Sequence, residues 1–214
     1  MAQRSFVALF ALLAWGCADP DGVMEDFADR YARTHAQKDA GAGDAGACDD
    51  ATAEQLGGDY LLSISPAFSP KTPILFLCRL DAEPSGESRL AVAMTLTPLS
   101  ASDRTTPAGD ALPVIPLDVP AGGAFVADLG ELHIPGNADP VLPGSAIVGT
   151  VTLSGTLCGA EPTVSFLCGD ASGNVTLPVA IGLAGSSWTL ARVPASGELP
   201  DIAINCNLDP PDAL

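Results

Sequence analysis

From residue 57 onward, apolar and polar residues alternate with a period of two, the repeat of a strand that buries one face. Tyr60 to Ser65 (YLLSIS) opens the series, and Pro73 to Leu80 (PILFLCRL) is apolar on both faces for most of its length. Arg89 to Thr97 alternates cleanly, with Leu90, Val92, Met94 and Leu96 on one face. Leu112 to Val119 and Ala124 to Ile134 follow. Ile147 to Leu157 sets Ile147, Val151, Leu153 and Leu157 against Thr150, Thr152, Ser154 and Thr156. Val164 to Leu177 carries a turn or bulge signal at Gly169 to Gly173, and Ser187 to Val193 closes the set. Pro- and Gly-containing turns separate the runs, and no helical period of useful length occurs after residue 57. The pattern predicts an all-β domain, an antiparallel meander of about eight strands. The strand count and sequential turns favour an up-and-down barrel over a β-sandwich. The long proline-containing connections Ser100–Ala111 and Pro135–Ser145 suit sandwich crossovers equally well.

The chain begins differently. Arg4 precedes an unbroken apolar run, Phe6 to Leu13 (FVALFALL), which has the length of a signal-peptide core and is too short to span a bilayer. It ends in Leu13-Ala14-Trp15-Gly16-Cys17. This segment resembles the lipobox of bacterial lipoproteins, with Gly16 and Cys17 in the required places, Ala14 tolerated, and Trp15 bulkier than usual. The resemblance implies cleavage before Cys17, a diacylglycerol on its thiol and a fatty acyl group such as palmitate on the new amino terminus. Two or three acyl chains hold a protein durably on a bilayer, where one binds only marginally. Ala18 stands where enterobacterial lipoproteins retained in the inner membrane carry Asp, so the resemblance implies the outer membrane. The expected organisation is a signal peptide over 1–16, an acidic tether over 17–50, a β domain over 51–206 and a tail over 207–214.

Within the tether, Met24, Phe27, Ala28, Tyr31 and His35 recur at helical spacing, with acids toward the start and Arg30, Arg33 and Lys38 later. That order suits the helix macrodipole and predicts a short helix over roughly 22–37. Ala40 to Ala47 (AGAGDAGA) spells G-x-G-x-x-G, but no apolar strand precedes it. It reads as flexible linker rather than a dinucleotide fingerprint.

Charge narrows the partners. Among 214 residues, 26 acids oppose 9 bases, giving a formal net charge of −17. Nucleic acid, whose phosphates need clustered Lys and Arg, is excluded as a partner, and an anionic membrane surface is disfavoured electrostatically. Residues 18–50 hold nine acids and three bases, so the tether is the denser acidic segment. Export implies an oxidising compartment, and with Cys17 lipidated the remaining cysteines are Cys48, Cys78, Cys158, Cys168 and Cys206. Sequence does not fix their pairing. The first choice joins Cys158 to Cys168 across a short turn and Cys48 to Cys206 across the two ends of the domain. Cys78 is then the unpaired thiol, buried on the second strand.

Catalytic signatures are missing: no G-x-S-x-G, no H-E-x-x-H and no P-loop. His133 is the only imidazole in the β domain, with Ser145 and Ser154 as conceivable partners, and a solvated rim histidine is the simpler reading. Asp170-x-Ser172-Gly173-Asn174 lacks the repeated acids and terminal Glu of a calcium loop and reads as a turn. No metal and no cofactor are expected. Gly58-Asp59-Tyr60 at the first strand and Arg192 in the last resemble the lipocalin-like barrel closure, in which a Gly-x-Trp packs under an arginine from near the barrel's end. That resemblance implies a cation–π contact and makes Tyr60, Trp188 and Arg192 the candidate ligand-binding residues. In layout (lipobox, Asp/Ala/Gly-rich tether, Gly/Pro/Thr-rich β domain) the chain is similar to outer-membrane lipoproteins of the myxobacterial kind, and that similarity carries no activity with it. The expectation is a non-enzymatic lipoprotein presenting its domain to a small apolar ligand or an envelope protein. The competing expectation is a structural or assembly module with a solid core.

Overall fold

The computed structural model describes residues 48–160 and 162–213. The signal peptide, Cys17, the tether helix and the glycine-rich stretch at 40–47 lie outside the described residues. Among the described residues, one short helix, α1 (Ala53–Leu56), precedes the strands β1 (Gly58–Ser65), β2 (Ile74–Pro84), β3 (Arg89–Pro98), β4 (Ile115–Pro120), β5 (Gly123–Ile134), β6 (Ile147–Leu157), β7 (Phe166–Leu177), β8 (Ile181–Gly182) and β9 (Ser186–Arg192). A single 3₁₀ turn occupies Gly136–Ala138. The strands form one antiparallel sheet in the order β4-β3-β2-β1-β9-β7-β6-β5, with the two-residue β8 set against β7. This is the expected all-β meander, curled into a nearly closed up-and-down barrel. Eight long strands match the eight read from alternation, and both proline-containing connections join neighbours rather than crossing between sheets.

The first and last long strands close the circle. β1 pairs with β9 from Tyr60↔Arg192 to Ser65↔Ser187. Diametrically opposite, β4 and β5 make contact and are joined through Ala121 and Gly122, yet share no ladder. Pro116 and Pro120 lie four residues apart in β4 and so project their missing donors to the same side. Proline within a sheet is confined to the unpaired side of an edge strand, so β4 cannot extend the ladder toward β5.

Alternation puts Tyr60, Leu62 and Ile64, then Phe76, Cys78 and Leu80, then Leu90, Val92, Met94 and Leu96 into one continuous interior core. Burying each such side chain contributes roughly 1.5–3 kcal/mol relative to exposure. The two-sided apolar character of β1 and β2 has a separate cause. After Arg192 the chain reverses at Pro194–Gly197 and returns along the outside of the barrel. Leu199 and Ile202 pack on Leu61, Leu75, Leu77 and Leu99 in a second, external cluster. Ser187 and Thr189 donate their hydroxyls to the carbonyls of Ile204 and Ala203 at 2.6 and 2.8 Å. Residues 207–212, within the expected tail over 207–214, continue this cover: the Asp212 amide donates to the carbonyl of Lys71.

Two expectations need correction. The stretch Gly169 to Gly173 is neither a turn nor a bulge; it is the uninterrupted middle of β7, paired with β6 from Gly155↔Gly169 to Thr150↔Asn174. Its glycines serve a close approach of strands. A Cβ on Gly169 would run into the carbonyl of Ser154, and one on Gly173 (φ +124°) into that of Thr150. The irregularities fall elsewhere, between Asp128 and Glu131 of β5 and between Val148 and Gly149 of β6.

The cysteine pairing is also different. The same four residues are bridged, but as Cys48–Cys158 and Cys168–Cys206, leaving Cys78 free and buried as expected. The β6–β7 ladder ends with Gly155 opposite Gly169, so Cys158 lies three residues beyond its last pair and Cys168 is not opposite it. Cys158 instead meets the segment entering the barrel, where the Gly159 amide donates to the carbonyl of Asp49. Cys206 is delivered to β7 by the returning tail. Restricting the unfolded chain by loops of 110 and 38 residues corresponds to about 4–5 kcal/mol for each bridge on the chain-entropy account. Replacing both Cys168 and Cys206 with Ser is expected to cost about 2–4 kcal/mol in urea unfolding. It should also accelerate amide exchange in residues 199–212 before the barrel strands. Uniform acceleration throughout the domain would show that the tail is not a separate layer.

Candidate functional site

Every strand runs between two ends of the barrel. The base gathers the chain entry at Cys48, α1, the turns after β2, β4 and β6, and the end of β9. The mouth gathers the connections 66–73, 99–114, 135–146 and 178–185. The candidate ligand-binding residues Tyr60 and Arg192 fall at the base, with Trp188 packed above them.

There, α1 is held by a capping box between Thr52 and Gln55, and its last carbonyls point at Arg192. The guanidinium donates through Nη1 to the Gly57 carbonyl at 2.9 Å, through Nη2 to Gln55 and Leu56, and through Nε to Val164 at 2.8 Å. Its Nη2 also donates to the Tyr60 hydroxyl, which in turn donates to the Leu56 carbonyl at 2.6 Å. The guanidinium carbon stands 4.6 Å from the centroid of the Tyr60 ring, within cation–π range. Gly58 (φ +141°) leaves the space this needs, since a Cβ there would run into Nη1 of Arg192. A cation thus satisfies carbonyls that a four-residue helix cannot satisfy itself. Burial pushes the Tyr60 phenol up to about 12, with Arg192 pulling the other way and Cys78 adding to the rise.

Tyr60 and Arg192 form a plug, with every polar atom of the guanidinium engaged by the protein. Trp188, the third candidate, is buried above them. Its Nε1 donates to the Ser154 carbonyl at 3.0 Å, and its ring meets Phe125 edge-on with centroids 6.0 Å apart. It borders a void of only about 50 Å³. The base half of the barrel is otherwise filled with side chains.

The mouth half is hollow. An apolar cavity of about 190 Å³ lies between Ile64, Phe76, Leu132, Val151, Val175 and Leu183 and opens toward the mouth. Four large apolar residues that also line it stand partly in solvent: Phe68 (47% exposed), Val141 (38%), Leu142 (44%) and Val179 (52%). Among the described residues, Asp139 is the only polar side chain on its wall, and it is 3% exposed. Its Oδ1 accepts from the amides of Val141 and Leu142 at 2.8 and 2.9 Å, fixing the loop that carries these rim residues. Sequence reading passed over this site. The signal was present in the apolar Phe68, Val141, Leu142 and Val179 within Pro-rich loops, where polar residues are the rule.

A second, shallower groove follows the β4–β5 seam, between Leu112–Pro116 and Asp128–His133. His133 lies here and pairs through Nε2 with Glu131 Oε1 at 2.9 Å, both side chains being more than half exposed. Ser154 turns to the carbonyl of Asp170, and among the described residues the hydrogen-bond partner of His133 is Glu131. No cluster of three or more His, Cys, Asp or Glu residues suited to a metal ion occurs among the described residues. Comparison with protein-family models, curated proteins and solved structures found no match.

Arg192→Ala removes the charged donor shared by the carbonyls of Gln55, Leu56, Gly57 and Val164 and by the Tyr60 hydroxyl, and is expected to cost about 3 kcal/mol in urea unfolding. The alkaline limb tests Tyr60 separately. In the unfolded chain its phenol ionises near 10, while in the folded domain it holds its proton to about 12. The native state then binds more protons, so stability falls as pH climbs between those values. Tyr60→Phe should weaken this dependence between pH 10 and 12; an unchanged slope would assign it to other groups.

Proposed function

We propose that the domain binds a small apolar molecule in the mouth cavity, and that the chain presents this domain as a non-enzymatic lipoprotein of the outer envelope, anchored in the bilayer through an acylated Cys17. The observation that carries the binding reading is the apolar cavity that opens between exposed apolar side chains. An engineered apolar cavity of ~150 Å³ stays dry and takes up benzene or xenon, so a space of about 190 Å³ has the capacity for a ligand of that class. It lies below the ~300–1,000 Å³ of sites for drug-sized ligands. Exposed apolar residues clustered at one opening also mark interaction sites rather than ordinary surface.

The alternative, a structural module with a solid core, draws on the filled base half. Among the described residues, the hydrogen-bond partner of the exposed His133 is Glu131 rather than a hydroxyl or thiol, so the arrangement a nucleophile–base pair needs is not met by the described residues.

Benzene discriminates between ligand carrier and structural module. At ten times its dissociation constant it should stabilise the purified protein by about 1.4 kcal/mol, raising Tm by roughly 3–6 °C. Val151→Phe, which fills the cavity from its wall, should abolish the shift. An absence of saturable stabilisation in the unmodified domain would favour the structural module. The anchor has its own readout: Cys17→Ser should move the protein from the membrane fraction to the soluble fraction, and continued membrane association would refute acylation at Cys17.

A further inference from the structure

We propose that the mouth cavity takes its ligand end-on, as the terminal segment of an uncharged aliphatic chain, and rejects the same chain carrying a carboxylate. This rests on the binding reading above and specifies its ligand class.

The wall argues for hydrocarbon. It is built of branched aliphatic side chains such as Ile64, Ile134, Ile147, Val151 and Val175, with Phe76 at depth and Phe68 at the rim. Among the described residues, Asp139 is the one polar side chain on the wall, and its Oδ1 already receives two backbone amides. A ligand carboxylate entering there would carry its charge into a low-dielectric space with no cation on the wall to answer it. The domain's bases are engaged by other groups or stand off the cavity wall. Arg79 pairs with Asp59 and Asp81 and Arg89 with Asp118 on the exterior, while Lys71, on the mouth loop that carries Phe68 but not on the wall, pairs with Asp212. Arg192 is locked in the base, and Arg104 does not line the cavity.

Size and shape argue for a chain entering by its end. About 190 Å³ cannot enclose a whole lipid, yet the cavity is open, and Phe68, Val141, Leu142 and Val179 carry its apolar surface outward. A chain that fills the interior keeps apolar contact as it emerges, so its polar group comes to rest against the apolar rim, where partial desolvation costs a hydroxyl far less than a carboxylate. Each additional buried methylene then raises affinity about fourfold until cavity and rim are covered.

The test is a calorimetric titration of the purified protein at pH 8 with n-alkanols from hexanol to dodecanol and with the corresponding alkanoates, below their micellar concentrations. Alkanol affinity is expected to climb about three- to fourfold per methylene over this range, with decanoate at least tenfold weaker than decanol. Leu142→Asp and Val179→Asp, both at exposed positions, should weaken dodecanol by a larger factor than benzene. If benzene binds but alkanol affinity ignores chain length, or decanoate equals decanol, the end-on aliphatic assignment is overturned and the binding reading stands. If neither benzene nor any alkanol binds, the binding reading itself falls.

Discussion

Arg192 holds the barrel shut. A meander becomes a barrel only if its first and last strands meet, and here they meet over the six pairs from Tyr60↔Arg192 to Ser65↔Ser187. The final pair at the base is the plug itself. One guanidinium receives the carbonyls of Gln55, Leu56, Gly57 and Val164 and stacks on Tyr60. These carbonyls come from the chain entry and from the β6–β7 connection, so the cation fastens segments far apart in sequence. Hydrogen bonds to a charged donor are worth about 1.5–3 kcal/mol each in favourable cases. The opposite seam has no comparable device. β4 and β5 touch without a ladder because Pro116 and Pro120 remove the donors a ladder would need. Closure by backbone pairing therefore rests on the β1–β9 side alone.

The returning tail is the second constraint. A barrel strand normally shows water one face, yet every position of β1 from Tyr60 to Ser65 is buried. Residues 199–204 account for this by covering the outer face, and the positions they cross are small and hydroxylated: Ser63 and Ser65 on β1, Ser187 and Thr189 on β9. Small residues let the tail backbone approach, and Ser187 and Thr189 satisfy its carbonyls. Cys168–Cys206 then pins the tail to β7, while Lys71 and Asp212 join its far end to the mouth loop that carries Phe68.

Strand existence was legible because period-two alternation is a local property. The edges of β3, β5 and β6 fall within a residue or so of the alternating runs, and the Gly58-x-Tyr60 and Arg192 elements do meet. What failed was non-local. Gly169 and Gly173 look like turn residues in isolation, and only the proximity of β6 reveals them as positions where a side chain has no room. Cys158 and Cys168 look paired because they are near in sequence, whereas an eight-residue connection and the tail's return path decide their partners. The two-sided apolar segment PILFLCRL was seen, but its cause lay about 120 residues downstream in Leu199 and Ile202. The mouth cavity was missed for the same reason. A void is a property of side chains that fail to meet, and no single stretch of sequence records it.

The two ends of the barrel divide the labour through side-chain size. Toward the base, Tyr60, Trp188 and Phe125 bring rings into the interior, and the small void beside Trp188 is about 50 Å³. Toward the mouth, most inward positions pass to β-branched residues, Ile64, Ile134, Ile147, Val151 and Val175, whose short, stiff side chains leave a space over Phe76 and Leu132. Loops rather than strands complete that end, and Asp139 gives one of them a fixed shape by engaging the Val141 and Leu142 amides. The chain enters at the base through Cys48, so the open end lies a strand length away, roughly 30 Å. The cross-link, the cation and the aromatic plug all concentrate where the chain enters. That leaves the remote end free to carry exposed apolar side chains around an unfilled space without weakening the closure on which the barrel depends.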